Sequence, residues 1–378
     1  MKHSQLWLIQ ILVVIGLSAT ALAQTFKDAG NGLSWREDRI PSEPWLIQIV
    51  RIERARGDLE LVPTLAQGDR IGLNTLTGQL RLVSKELGEP LAAINGDFYD
   101  TEDEPFPGDP RGLFITRGEL VSAPAPRDCF WIDRAGKPHI GIVRSGFQLT
   151  WPDGAVTPFG LNEDSSDAEA VLFTRAAGKA AELRRGNRVV LERAGDGPWL
   201  PLRVGETYLA KAGTNSGVST SSLVLAVSSK LRGQIRQLSS GGTVQISTKT
   251  IPDLTGVTTA IGGGPALVRG GKALAVRALK SNERHPRSAL GWNAQYYFFV
   301  VVDGRQESSD GMTLPELGAY LAKLGCEEAM NLDGGGSTEL WLRGRILNRP
   351  CYGQERRMAT GLAVIRTPAK TNSPASKQ

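Results

Sequence analysis

Four times in this chain an apolar run stops at a loop of small residues that presents a polar group. The loops are Asn95-Gly96-Asp97-Phe98, Gly262-Gly263-Gly264-Pro265, Asp303-Gly304-Arg305 and Asn331-Leu332-Asp333-Gly334-Gly335-Gly336-Ser337. Glycine lets backbone N–H groups come close to a ligand and permits positive φ. Successive N–H groups in such loops form anion-binding concavities. A carboxylate beside them can meet a cation or sugar hydroxyls. One such loop is an ordinary strand-ending turn; four together point to a shared site. The 44 glycines and 21 prolines fit the same picture of many turns and short strands. With 40% hydrophobic residues in 378, the chain can bury a large core, which excludes wholesale disorder.

The segments around the loops read as strands and a few helices. Trp45 to Arg54 alternates as a half-buried strand does, and Leu59 to Pro63 reads as its continuation or partner. Leu76, Leu80, Val83 and Leu87 share one helical face, which predicts a helix over 75–87 closed by Gly88. Leu91 to Ile94 is a short buried strand. Phe130 to Asp133, followed by Arg134 to Lys137, signals a hairpin. Stretches 140–143, 171–174, 189–191 and 243–247 are further strands. Tyr296 to Val302 is a strongly apolar β run. Thr313-Leu314-Pro315-Glu316 is a capping box that opens a helix to Leu324, and Gly325 stops it. Ala329 to Asn331 is a strand that delivers Asp333, and 338–342 with 346–347 forms a hairpin.

Residues 1–23 read as a secretory signal. Lys2 is the positive start, Leu6 to Leu17 the apolar stretch, and Ala21-Leu22-Ala23 the cleavage site, with the cut after Ala23. The apolar stretch is short of the roughly 20 residues a membrane span needs. The mature chain is therefore expected to be secreted or periplasmic, with no integral membrane segment. Net charge is +5, from 44 basic and 39 acidic residues, without a dense basic run, so nucleic acid is not an expected partner. Three cysteines, Cys129, Cys326 and Cys351, allow at most one internal disulfide. Cys326 with Cys351 is the favoured pair because they flank the Gly-rich loop; separate buried thiols are the alternative.

Several familiar sites are absent. Gly264 to Lys272 fails the spacing of a phosphate loop, and Ala273 stands where Ser or Thr is required. There is no GxSxG elbow, no HExxH and no GxGxxG opening a βαβ unit. His285-Pro286-Arg287-Ser288 places a titratable ring and a guanidinium just before a strand. Arginine's planar fork suits phosphate. His139, in the hairpin, reads as structural.

Taken in order, these pieces resemble the phosphodiester glycosidase family. The matching segments are Ile94-Asn95-Gly96-Asp97-Phe98-Tyr99, Ile261-Gly262-Gly263-Gly264-Pro265, His285-Pro286-Arg287-Ser288-Ala289-Leu290-Gly291, Val302-Asp303-Gly304-Arg305 and the Asn331–Ser337 loop. They span roughly 90 to 366; the stretch from about 117 to 250 matches poorly. Asp97 stands where animal-type members tend to have a small residue and is similar to bacterial members. The resemblance implies a reaction class, hydrolysis at a glycosyl phosphodiester, and not a particular substrate.

In a sugar-1-phosphodiester the leaving group needs little protonation, so a strong general acid matters less than in ordinary glycoside hydrolysis. What is needed is phosphate binding, charge stabilisation and water activation. On that basis Asp97, His285 and Asp333 are the catalytic candidates. Either aspartate could stabilise positive charge or act as base, and His285 could be acid/base or phosphate donor. Arg287 and the amides of Gly334, Gly335 and Gly336 are assigned to the phosphate. Asn95, Gly263, Gly264, Asn331 and Ser337 complete the substrate-binding set, with Asn95 and Asn331 orienting hydroxyls. Asp303 is read either as a loop-holding residue or as a ligand to a divalent cation such as calcium; no cofactor is required by the sequence.

Two other readings use the same loops. One is a non-catalytic polysaccharide-binding protein, with Trp35, Trp45, Trp131, Trp151 or Trp292 as stacking faces. The other is a structural calcium-binding envelope protein. The expected fold is α+β, a mixed β-sheet core formed by 45–116 and 257–366, packed with a few helices and carrying a β-rich insertion at 117–256. Residues 24–366 form one domain, and 367–378 a disordered tail.

Overall fold

The computed structural model describes residues 25–101, 106–163, 168–178, 187–196, 199–213, 221–277 and 281–368. The expected signal segment and all but the first two residues of the expected tail lie outside them.

Among the described residues four sheets of five or eight strands carry the fold, with few helices and one further two-stranded pair, Arg144–Ser145 with Thr250–Ile251. The first runs, strand by strand, Lys27–Gly30, Leu33–Ile40, Trp45–Glu53, Tyr296–Val302, Arg287–Trp292, Glu328–Asn331, Ala266–Arg269 and Lys272–Ala273. The second is Arg345–Ile346, Leu340–Leu342, Glu89–Asn95, Thr360–Arg366 and Leu59–Leu65. The third is Glu119–Ser122, Phe114–Thr116, Thr259–Gly262, Asp128–Ile132 and Pro138–Ile142. The fourth lies within the middle of the chain, from Gln148–Thr150 to Thr243–Ser247.

The protein is thus a β-rich α+β fold, but the core sheets are not mixed. Among the described residues the one parallel pair of strands is Gly160–Leu161 with Ala170–Phe173, in the middle sheet. Connection length explains this. Arg287–Trp292 and Tyr296–Val302 are joined by Asn293 to Gln295 alone, enough for a hairpin and far too short for a parallel crossover.

Trp45–Glu53 is buried on both faces, not one. Ile47 and Ile49 pack with the helix Leu314–Leu324, while Val50 and Ile52 face the opposite core with Ile94, Phe114, Ile261 and Phe299. Its polar Gln48, also buried, donates to Glu37 at 2.6 Å. Leu59–Leu65 does not continue it; this strand pairs with Thr360–Arg366 in the second sheet. The helix Leu314–Leu324 has the expected ends. Thr313 Oγ1 accepts from the Glu316 amide, Glu316 Oε2 accepts from the Thr313 amide, and Gly325 closes the helix at φ 96°. The other expected helix is only Leu76–Arg81. Beyond it Ser84 caps a local turn by accepting from the Leu87 amide, a bond that competes with helix continuation. Val83 and Leu87 still pack on the same apolar cluster as Leu76 and Leu80.

All three cysteines are free thiols, so the Cys326–Cys351 pairing is not formed. Cys326 is buried against Gly291, where a β-carbon would lie 2.8 Å from its Sγ. Trp131, Trp151 and Trp292 are core side chains. His139 stacks on Trp131 at 5.2 Å and bonds Asp133 at 2.7 Å, a structural role with a partner close in sequence.

Candidate active site

Strand-ending loops of the first three sheets meet at one place. Asn95, at the end of Glu89–Asn95, holds the meeting point together. Its Nδ2 donates to the Asp333 carbonyl at 2.7 Å, and its Oδ1 accepts from Ser288 Oγ at 2.6 Å and from the Glu339 amide at 3.2 Å. The Asp333 amide donates in turn to the Gly96 carbonyl. Asn331 Nδ2 donates to the Gly264 carbonyl, and the Gly264 amide donates to the Asn331 carbonyl. A β-carbon at Gly263 would sit 2.8 Å from that same carbonyl. Asn95, Asn331, Gly263 and Gly264 therefore spend their polar groups and their lack of side chain mainly on joining loops. The exception is Asn331 Oδ1, buried and without a partner.

Asp97 lies at the bottom of this junction. Its Oδ1 accepts from the Phe98 amide at 2.8 Å, and Arg127 Nη2 is 3.9 Å away. Its Oδ2 is buried with no hydrogen-bond partner. The carboxylate fits only because two glycines face it: a β-carbon at Gly262 would be 2.2 Å from Oδ2, and one at Gly112 2.8 Å. Burial pushes the Asp97 pKa up to about 7, with Arg127 opposing and the nearby Asp333 charge adding to the rise.

Asp333 opens the Gly-rich loop. Its Oδ1 accepts from the Gly334 amide at 2.9 Å, and Ser337 also bonds its side chain. Burial pushes its pKa to about 6, against those bonds and the attraction of Arg356 and Arg111. Tyr99 stands beside it, with its hydroxyl 3.4 Å from Ser337 Oγ and donating to the Arg357 carbonyl.

Each glycine of the triplet answers to a close neighbour. A β-carbon on Gly334 would meet the Pro286 carbonyl at 2.8 Å, one on Gly335 (φ 60°) the Arg305 guanidinium at 3.2 Å, and one on Gly336 the Tyr352 ring at 2.3 Å. The Gly334 amide is taken by Asp333 and the Gly335 amide by the Pro286 carbonyl, so two of the three amides assigned to phosphate are engaged within the protein.

A basic group flanks the same loop. Arg287 is fixed by donating from Nε to the Met312 carbonyl and from Nη2 to the Glu283 carbonyl, both at 2.8 Å. Burial and the neighbouring Arg305 lower its pKa to about 10. Arg305 Nη2 lies 3.3 Å from His285 Nδ1, and His285 Nε2 lies 3.0 Å from Glu283. Burial, Arg287 and Arg305 hold the His285 pKa below its ordinary value, with Glu283 opposing.

Asp303 faces elsewhere. Its carboxylate accepts from the Arg349 amide at 3.1 and 3.2 Å and from Asn348 Nδ2 at 3.3 Å. Among the described residues no group of three or more His, Cys, Asp or Glu is arranged to hold a metal ion. The bonds to Asn348 and Arg349 fit the loop-holding reading of Asp303.

Sequence reasoning did not select Arg305, Arg127, Arg111, Tyr99, Tyr352 or Glu339. Arg305 and Tyr99 sat inside motifs already singled out. Arg111 and Arg127 lie in loops without any pattern. Glu339 is buried beside the Gly-rich loop, accepts from the Arg356 amide at 2.7 Å, and has its pKa raised to about 8 chiefly by burial.

The fold is a β-rich scaffold in which one Gly-rich loop lies near a buried carboxylate, Asp97, a half-buried one, Asp333, and a cluster of basic side chains. Residues 206–365 match the family described as phosphodiester glycosidase. The family resemblance seen in the motifs is borne out over that stretch. A solved hypothetical protein from Synechocystis shares the fold, with TM-score 0.70 and 19% identity over 92% of this chain and 64% of that one. So does a Burkholderia pseudomallei K96243 protein, provisionally named an exported protein, with TM-score 0.60 and 20% identity over 85% of this chain and 74% of that one. The zebrafish N-acetylglucosamine-1-phosphodiester alpha-N-acetylglucosaminidase catalytic domain aligns at TM-score 0.46 and 14% identity, over 90% of this chain and 86% of that one. A Bacillus subtilis (strain 168) relative, the SPbeta prophage-derived uncharacterized protein YomE, is 33% identical over 84 residues, which are 22% of this chain and 13% of that protein.

Proposed function

We propose that the protein is an exported glycosidase that hydrolyses a sugar-1-phosphodiester or a related phosphate-bearing glycoconjugate or exopolysaccharide. The observation that carries this reading is the Asp333–Ser337 loop, which has the buried Asp97 and its own half-buried Asp333 at one end and is contacted by Pro286, next to His285 and Arg287, and by Arg305. The family match over 206–365 supports the same class. The expected export rests on the N-terminal sequence. Among the described residues no helix is long and apolar enough to cross a membrane.

The chemistry follows from the two sides of the loop. The phosphodiester group sits against Arg287 and Arg305, whose crowding an anion relieves. The bond from the anomeric carbon to the phosphate oxygen breaks as positive charge builds on the sugar, and the phosphomonoester leaves as an anion held by the guanidinium groups. Water adds to the anomeric carbon and gives its proton to Asp333, which is largely ionised at neutral pH. Asp97, behind it, retains its proton further up the pH scale and limits the charge in the site.

A panel of sugar-1-phosphodiesters tests this. The native protein should release free sugar, and Asp333→Asn should abolish turnover while its circular dichroism and melting temperature stay near those of the native protein. Turnover by a folded Asp333→Asn, or no release from any substrate, removes the reading.

A further inference from the structure

Beside the Gly-rich loop the chain places a further aromatic side chain, Tyr352. Residues 348–353 form a short strap after the hairpin that ends at Ile346. Its base is bolted down: Asn348 and the Arg349 amide bind the buried Asp303 carboxylate, and Gln306 Nε2 donates to the Arg349 carbonyl at 2.7 Å. A turn follows, closed by the Gly353 amide on the Pro350 carbonyl. The turn carries Tyr352 onto Gly336. One edge of the ring is the contact, since Cε2, Cδ2 and Cζ are the atoms nearest to a β-carbon built there. The residue is nevertheless 65% exposed, the one aromatic among the large apolar side chains that the described surface leaves exposed.

An exposed aromatic ring beside a polar loop presents an apolar face that a sugar ring can cover while its hydroxyl stays in water. Here it adjoins Gly336, one residue from the Gly335 that Arg305 lies against. We propose that Tyr352 is the sugar-recognising wall of the site. Its ring takes the apolar face of a hexopyranose whose 1-phosphate lies against Arg305 and Arg287. This inference rests on the proposed glycosyl-phosphate reading and names the part of the site that distinguishes a sugar phosphate from phosphate alone. It also assigns Asp303 a purpose as the anchor of the Tyr352 strap.

The test is calorimetric binding of two probes, α-glucose 1-phosphate and inorganic phosphate, to the native protein, Tyr352→Ala and Tyr352→Phe. Loss of a stacking contact is worth about five- to tenfold in affinity. Tyr352→Ala should lose that factor for the sugar phosphate and keep its affinity for inorganic phosphate; Tyr352→Phe should match the native protein on both. Equal binding of the sugar phosphate by Tyr352→Ala overturns the proposal, as does parallel loss of both probes, which would make Tyr352 a support of the loop. A native protein that binds neither probe overturns the glycosyl-phosphate reading itself.

Discussion

Asp97→Asn removes a charge that the fold buries at a cost, and that cost can be read as pH dependence. The ordinary pKa of the side chain is 3.8, and in the folded protein it is about 7. A carboxyl whose folded pKa is raised binds its proton more tightly in the folded state, so stability falls as pH rises between the two values. From pH 5 to pH 8 the unfolded chain is essentially ionised throughout, while folded Asp97 holds its proton until about pH 7. Two units at about 1.4 kcal/mol each, trimmed by partial ionisation near pH 7, give roughly 2.6 kcal/mol lost over that interval because of Asp97 alone. The assay is urea unfolding of the native protein and the variant at pH 5 and pH 8. The stability of the native protein should fall by about 2–3 kcal/mol more than that of Asp97→Asn across the interval. Parallel pH dependences would show that the Oδ2 pocket does not hold a proton at neutral pH, and would refute the argument from its missing partner.

Two further outcomes follow from the same geometry. Activity should have a bell-shaped pH profile with its optimum between about 6 and about 7, rising as Asp333 ionises and falling as the pair loses its last proton; a profile flat from pH 5 to 8 would take both aspartates out of the chemistry. Gly262→Ala would place a methyl 2.2 Å from Asp97 Oδ2 and 3.0 Å from the Gly112 Cα, so it should cost about 2–3 kcal/mol in urea unfolding and lose turnover, and an active, stable variant would show that Asp97 is free to move.

The legible parts of this protein are those in which a residue acts on its own neighbourhood. The capping box at Thr313 and the stop at Gly325 depend on residues within one turn, and both formed as expected. The hairpin at 130–137 and the run 296–302 likewise follow from local pattern. The helix expected over 75–87 fell short because Ser84 offered a competing local bond that periodicity does not weigh. The expected disulfide failed because flanking a loop in sequence says nothing of where two thiols point. Cys326 packs into the first sheet against Gly291.

The sequence by itself determined the list of loops that could bear chemistry, because each carries its polar group within a few residues of the strand that ends there. It also carried the resemblance to a family, through the order of those motifs, and residues 206–365 match that family. Only the tertiary structure decided what each group contacts. Asn95 and Asp97 are two residues apart, yet one is fully hydrogen-bonded between loops and the other keeps an unpartnered buried oxygen. Asp303 and Asp333 each open a strand-ending glycine loop, but one accepts from the Arg349 amide and anchors a strap while the other accepts from the Gly334 amide of its own loop. Arg305 and Tyr352 reach the glycine triplet from separate loops. A side chain's role depends on desolvation and on neighbours brought from far along the chain, and a local pattern records neither.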